Sequence, residues 1–383
     1  MNFLIFGTIL NKDSFTYNQA ANPASTKWLN GLASGLSEGG NKITLLGHCY
    51  EQAWPKGKLF PGKSHYLENK FDNHLVPFLN VPGIRFSSMA RSYYRQAVRR
   101  ISQSNYDAIV TYNPYPWHAS AARQLSEKFN IPWISLNLDF DDVGPKWIKF
   151  LRQAGDANGH VFLSAWGFRE APVVSKLHLD SGVTQLKPIF GPREESATLN
   201  LVYLGGLGGV NGLEVLMELP KTIPDANVRF ILGGKALPEA NKRLQQLAMR
   251  DSRVEYRGFV RDDEVEELYA RADVFLNPRD PDSVVNDMVF PSKILHYLAN
   301  GKTLVSTWTK GLDEAYRDLM IVADGASVQN FSTVVRQAMA ETKNERVLRS
   351  TKIKKFLEET RLWSIQAERF RVFSEQVCAD FKV

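Results

Sequence analysis

The chain has 383 residues, 44% hydrophobic and 23% charged, which excludes a disordered chain and allows two domains, each with its own core. Two cysteines, Cys49 and Cys378, near opposite ends exclude a disulfide framework or a cysteine metal cluster, so a reducing compartment is expected. The net charge of +6 is uneven, with 20 Lys and Arg against 13 Asp and Glu over residues 1–190 and 27 against 28 over the remainder, so only the first half is expected to meet an anionic surface.

The opening "MNFLIFGTIL" is apolar but lacks a basic n-region and runs into "NKDSF", so it reads as a first strand over residues 2–10 rather than a signal peptide. No run approaches the roughly 20 apolar residues of a membrane span, which predicts a cytoplasmic protein, soluble or membrane-associated. "ASTKWLNGLASGLSEGG" carries Trp28, Leu29, Leu32 and Leu36 on one helical stripe, and "KITLLGH" is the next strand. "YDAIVTYN" (strand), "PWHASAARQLSEKFN" (helix), "IPWISLNLDF" (strand) and "HVFLSA", with a strand at Val161–Ala165, complete a first βα half.

The alternation then restarts. "LNLVYLGGLGG" is a buried strand ending in glycines and "VNGLEVLMELPKTIP" a helix. Strand and helix alternate again through "VRFILGGK", "PEANKRLQQLAMR", "VEYRGFV", "DDEVEELYARA" and "DVFLNPR", and "KTLVST" is a further strand. Such alternation predicts parallel, doubly wound sheets: an α/β protein of two Rossmann-like domains facing each other across a cleft. The expected division is residues 1–190, residues 191–361, and a final helix over 362–383 that returns to the first domain. Ligands in such sheets bind at the carboxyl ends of the strands.

Between the last two named strands lies "FPSKILHYLANGK", Phe290 to Lys302. Ser292 opens a short helix; Lys293, His296 and Asn300 fall on one face, and Ile294, Leu295 and Leu298 on the other. Gly301 closes it where a left-handed residue is wanted. A solvated face is one reading of the polar side. An anion site is the other, because backbone N–H groups at a helix start and a lysine favour negative charge.

These motifs resemble, in order and over roughly Leu199 to Thr307, the second domain of family 4 glycosyltransferases of the GT-B fold. The first half resembles them only in strand–helix order. The resemblance implies a nucleotide-diphosphate sugar held by the second domain, probed by the base at the "RGFV" loop (Phe259, Val260) and by the diphosphate at Ser292 and Lys293, with His296 near the ribose or a phosphate. It also implies that Trp363 opens the final helix. Where the family carries Arg and Lys after the first strand, this chain has Gly206 and Asn211; where it carries two glutamates eight apart, Met288 and His296 stand. A phosphate clamp would then be built from the turn Gly205, Gly206, Gly208 and Gly209 with Lys293 and Arg279. The Ser–Lys–x–x–polar arrangement is also similar to that of the xanthan glucuronosyltransferase family, which leaves retention or inversion of configuration open.

In the first half, "LNLDFDDVG" offers Asp139, Asp141 and Asp142 where a cleft edge is expected. An aspartate can take the proton of an acceptor hydroxyl, and Asp139 leads as a candidate base with Asp141 beside it; a solvated turn is the alternative. His118 begins a helix after a strand and is a candidate contact to the transferred sugar, or a structural histidine. Gly7, Thr8 and Asn11 stand in the expected acceptor-side loop.

Between Lys56 and Arg100, nine Lys and Arg face two acids, Glu68 and Asp72. "IRFSSMARSYYRQAVRRIS" reads as a helix with Phe86, Met89, Tyr93, Ala97 and Ile101 on one stripe and Arg91, Arg95 and Arg99 stacked beside it. Upstream, "HLVPFLNVPGIRF" is apolar and proline-broken, unsuited to a core strand. Together they read as an interfacial helix and an insertion loop for anionic lipid headgroups, or as an ordinary helix packed on the sheet. No nucleic-acid module is visible.

The expectation is a glycosyltransferase that uses a UDP-sugar as donor substrate, without a metal or other cofactor. Its acceptor would be a lipid-linked saccharide or oligosaccharide for surface polysaccharide, at the inner face of the membrane. A degenerate, non-catalytic partner protein is the competing class, and a UDP-sugar epimerase a third.

Overall fold

The computed structural model describes residues 1–8, 23–49, 51–62, 72–138, 147–186 and 198–382. The chain divides into two compact units: residues 1–163, 167–184 and 361–383 form the first, residues 164–166 and 185–360 the second.

The first unit opens with β1 (Asn2–Thr8), whose Phe3, Leu4, Ile5 and Phe6 are all buried, the continuous apolar run of a strand covered on both faces. There follow α1 (Pro23–Glu38), β2 (Lys42–His48), β3 (Asp72–Leu75), α2 (Arg85–Ile101), β4 (Ala108–Tyr112), α3 (Pro116–Phe129), β5 (Trp133–Asn137), α4 (Ile148–Ala154), β6 (Gly159–Phe162), α5 (Ala165–Glu170) and β7 (Lys176–His178). All strands are parallel, in the order β3-β2-β1-β4-β5-β6-β7.

The second unit begins with β8 (Leu199–Leu204), α6 (Leu213–Thr222), β9 (Val228–Gly233), α7 (Pro238–Arg250), β10 (Val254–Tyr256), α8 (Asp262–Arg271) and β11 (Val274–Asn277). It ends with α9 (Val284–Met288), α10 (Lys293–Leu298), β12 (Thr303–Thr307), β13 (Ile321–Ala323), α11 (Val328–Met339) and α12 (Lys343–Thr360). Its sheet is parallel in the order β10-β9-β8-β11-β12-β13. In each sheet the chain winds outward in one direction, returns, and winds the other way. The turning points lie between β1 and β4 and between β8 and β11, where this architecture leaves a crevice for ligands.

The last helix, α13 (Trp363–Phe381), belongs to the first unit. Arg361 just before it forms a buried ion pair with Asp180 at 3.0 Å, and Gln366 donates to the same carboxylate at 3.0 Å and to the Ser181 carbonyl at 2.7 Å. The Trp28 indole donates to the Asp180 carbonyl at 2.9 Å and meets the Trp363 ring edge-on at 5.6 Å. No buried side-chain nitrogen or oxygen of Trp28, Asp180, Arg361 or Gln366 is left without a partner, the condition under which a buried charge is tolerated.

Three strands are absent from the sequence reading: β3, β7 and β13, of four, three and three residues. Pieces this short carry no measurable periodicity. The strand expected at Val161–Ala165 runs instead over Gly159–Phe162, and Ala165 starts α5. The stretch from His74 is a second correction: β3 runs into it, and His74, Leu75, Val76, Phe78 and Asn80 are all buried. It is sheet edge and core, and of its large hydrophobic residues Ile84 and Phe86 are exposed.

Candidate functional site

The second unit assembles its polar residues where its sheet reverses. β8 is buried except at half-buried Asn200 and is followed by Gly205; β11 ends at Asn277 and is followed by Pro278 and Arg279. The short helix α10 is held against these ends by its apolar face. The Tyr297 hydroxyl donates to the Leu204 carbonyl at 3.0 Å and accepts the Leu204 N–H at 2.9 Å, while its ring stacks on Phe275 at 4.3 Å.

That anchorage delivers Lys293 to the turning point. Its Nζ lies 2.8 Å from the Tyr203 hydroxyl and 4.5 Å from the centre of the same ring. A Cβ at Gly205 would stand 1.8 Å from Nζ, so the lysine occupies the space that any other residue's side chain would fill. Gly234, after β9, is a glycine for the matching reason: a Cβ there would fall 1.8 Å from the Gly205 carbonyl oxygen.

Arg279 supplies a second cation. Its Nη2 donates to Asn211 Oδ1 at 3.2 Å, and its Nη1 is buried with no hydrogen-bond partner. The Thr307 hydroxyl donates to the Arg279 carbonyl, and Asn286 Nδ2 donates to the Val210 and Asp280 carbonyls at 2.8 Å each, which ties the arginine loop to the glycine turn. Among the described residues, neither Lys293 nor Arg279 is in a salt bridge. Burial first, and the Arg279 charge second, draw the Lys293 ammonium down to about 7. Burial likewise lowers Arg279 and raises Tyr203, so the phenol keeps its proton. Two half-buried cations without a carboxylate among the described residues are costly in isolation, which makes the place a candidate site. The glycine turn beside them is open, since no atom lies within 4 Å of the Cβ positions of Gly208 and Gly209.

The remaining expected residues are spread more widely. Ser292 precedes α10 with helical torsions (φ −50°, ψ −25°) and makes no side-chain cap. The expected polar face divides: Lys293 turns toward Tyr203, His296 is exposed, and Asn300 is buried with its amide on the His296 carbonyl at 2.8 Å. Met288, at a family glutamate position, is buried. Gly206 lies at the turn, its carbonyl accepting from the Tyr203 hydroxyl at 2.7 Å. The "RGFV" loop is fastened to the end of β9 by the Gly234 N–H on the Gly258 carbonyl at 2.6 Å; Phe259 is exposed and Val260 half-buried. Tyr203 and Asn286 were not singled out by sequence. Tyr203 sits in a segment that reads as an ordinary buried strand, and Asn286 in the stretch between "DVFLNPR" and "FPSKILHYLANGK" for which no element was expected, so nothing marked them.

In the first unit, Asp139, Asp141 and Asp142 lie outside the described residues, as does Asn11. His118 is fully buried near the start of α3, its Nδ1 3.1 Å from the Tyr112 carbonyl and its Nε2 without a partner. Rings of Tyr93, His48, Trp117 and Tyr115 surround it at 4.7–5.8 Å. Burial outweighs the backbone hydrogen bonds and takes His118 down to about 3, so the imidazole is neutral. His48 is lowered by the same cause and is held by the Tyr93 hydroxyl at 2.8 Å, which itself donates to the Gly7 carbonyl at 2.7 Å.

Comparison with known proteins follows the same division. Residues 198–341, within the second unit, match the family model described as glycosyl transferases group 1. No curated protein matches the chain. Solved structures similar along the whole chain include a sucrose-phosphate synthase from Thermosynechococcus elongatus, 13% identical with a TM-score of 0.71 over 99% of this chain and 100% of that one. The lipopolysaccharide outer core galactosyltransferase WaaB is 12% identical, TM-score 0.67, over 98% and 99%. Anabaena HepE in complex with UDP is 13% identical, TM-score 0.66, over all of both chains. The chain therefore has the GT-B fold, and its second unit is the part that matches a glycosyltransferase model.

Proposed function

We propose that the protein is a glycosyltransferase that moves a sugar from a nucleotide-diphosphate sugar, with uracil as the base, to a membrane-associated, lipid-linked saccharide in surface polysaccharide biosynthesis. The observation that carries the donor half is the pair of uncompensated cations, Lys293 and Arg279, at the reversal point of the second sheet beside an open glycine turn. A departing nucleoside diphosphate gains negative charge in the transition state, and fixed cations at that place lower the barrier. Similarity to proteins crystallised with UDP, such as Anabaena HepE, supports the donor class. An aspartate of the 139–142 segment would serve as base for the acceptor hydroxyl.

The acceptor half rests on the surface of the first unit. Arg91, Arg95 and Arg99 are exposed one turn apart along α2, whose opposite face buries Met89, Tyr93 and Ala97. Exposed Trp54, Leu59, Phe60, Ile84 and Phe86 belong to the same unit, and basic together with apolar exposed groups suits an anionic headgroup layer. Among the described residues no helix is long and apolar enough to cross a membrane. Association would therefore be peripheral, at the inner face. Co-sedimentation with vesicles tests it: binding to anionic but not neutral vesicles, lost when Arg91, Arg95 and Arg99 become Glu, is expected, and equal recovery from both vesicle types would refute it.

A non-catalytic partner role is the second reading, favoured by Gly206, Asn211, Met288 and His296 at positions where the family carries charged residues. A thermal-shift panel of UDP, GDP, ADP and UDP-sugars separates the two. Ligand at about 100 times its dissociation constant adds roughly 2.7 kcal/mol of stability. A rise with a uridine nucleotide that Lys293→Ala removes, together with detectable donor hydrolysis, is expected; a flat panel would favour the partner role.

A further inference from the structure

We propose that Tyr203 is the positioning residue of the anion site: its hydroxyl joins Lys293 and the glycine turn into one unit and presents the lysine to a bound diphosphate without neutralising it. The inference rests on the reading of Lys293 as a diphosphate contact.

Tyr203 is a fully buried residue of β8, two residues before Gly205, which follows the strand. A phenol has one proton to give and lone pairs to accept with, and this one uses both functions. It donates to the Gly206 carbonyl at 2.7 Å and accepts from Lys293 Nζ at 2.8 Å. The ring centre lies 4.5 Å from the same nitrogen, so the contact is made by the hydroxyl end of the ring. The charged and titratable groups that face the amine are thus Tyr203 from β8 and Arg279 from the loop after β11, with no carboxylate among the described residues. Had Lys293 been paired with Asp or Glu, an incoming anion would have had to displace that carboxylate. A neutral phenol holds the ammonium in place and leaves its charge for the ligand. Because the same oxygen binds the Gly206 carbonyl, the turn and the lysine cannot move independently.

The test is a double-mutant cycle on UDP binding, with inorganic pyrophosphate as a second probe to remove the base from the comparison. Tyr203→Phe keeps the ring and loses the hydroxyl. It is expected to weaken UDP about tenfold, the scale of a lost hydrogen bond to a charged group. In a Lys293→Met background the same change is expected to cost little, because the residue acts through the lysine. Equal losses in both backgrounds would make Tyr203 a purely structural residue and overturn the proposal. The pH at which UDP affinity falls is expected to move lower in Tyr203→Phe, since the charged amine loses an acceptor; an unmoved profile counts against it. If Tyr203→Phe does not fold, 3-fluorotyrosine at position 203 preserves the shape and weakens the acceptor, and the same downward shift is expected. Wild-type protein that binds neither UDP nor pyrophosphate, or binds them unchanged after Lys293→Met, would show instead that the diphosphate reading has failed, and the role of Tyr203 with it.

Discussion

The two sheets wind in the same sense around the same kind of turning point, yet they fill it oppositely. In the first unit the ends of β1, β2 and β4 are plugged: Gly7 is tied by Tyr93, His48 leans on Tyr93, and His118 is enclosed by rings. In the second unit the ends of β8, β9 and β11 are glycines and cations: Gly205, Gly234, Lys293 and Arg279. Both solutions force titratable groups out of water, with different consequences. Imidazoles respond by giving up their protons and becoming part of a core. An arginine cannot do so, and the lysine beside it is left near its titration point. A shared strand order thus fixes where a site can be, while local composition decides whether it is packed shut or left charged.

This contrast separates the units by pH. His118 at about 3 and His160 at about 4 are neutral in the first unit, whereas an unfolded chain protonates its histidines near 6.5. The unfolded state binds the extra protons, so stability is unaffected above 6.5 and falls as pH drops from 6.5 toward 4. At pH 4.5 the two groups together cost roughly 5 kcal/mol by this reckoning. In the second unit Asp251 and Glu255 are depressed by Arg253 and Arg271, so their stabilisation is lost only at lower pH, below the ordinary carboxylate range. Calorimetry between pH 7 and 4.5 should show the first-unit transition moving down well ahead of the second. Coincident shifts would break the comparison.

A smaller effect is expected from Arg279→Ala. Loss of a charged hydrogen-bonding partner should weaken UDP by about 1.5–3 kcal/mol, or roughly ten- to a hundred-fold, and let the Lys293 ammonium rise toward its ordinary value. Isothermal titration would read the first and its pH series the second.

Gly205→Ala should cost about 1–3 kcal/mol of stability, because the new methyl meets Nζ and must push Lys293 aside. The nucleotide-induced rise in melting temperature should disappear with it. Gly208→Ala, where nothing stands within 4 Å, should leave the melting temperature of the free protein nearly unchanged.

The smallest expected effect is the pH dependence of donor binding itself. Lys293 at about 7 in the free protein is half-charged near neutrality, and a bound diphosphate favours the charged form. UDP affinity should therefore hold below pH 7 and decline by no more than about tenfold per pH unit above it, with proton uptake visible as a buffer-dependent binding enthalpy. Lys293→Met should abolish that dependence.

Much of the second unit was legible because its signals are local. "PEANKRLQQLAMR" begins on a proline and ends where the helix Pro238–Arg250 ends, and "FPSKILHYLANGK" marks Lys293 through a lysine placed on an apolar helix. The division of that helix's polar face was not legible, since spacing places residues on one side of a cylinder but not in a common environment. Lys293 points to the end of β8, and His296 lies only three residues on and exposed. In the first unit, the buried fate of the His74–Asn80 stretch was hidden by Pro77 within it and Pro82 after it, which are compatible with the coil that follows an edge strand.

Sequence alone therefore determined the parallel α/β architecture, the restart of the pattern at the second half and the basic character of the first, because periodicity, glycine and charge are properties of neighbouring residues. Tertiary structure decided the rest. Arg279 reaches Asn211 across 68 positions of sequence, and Lys293 reaches Tyr203 across 90. Whether a cation finds a carboxylate, a phenol or nothing depends on which strand ends the sheet order brings together. That is a property of the folded chain, and it is what leaves these two cations uncompensated.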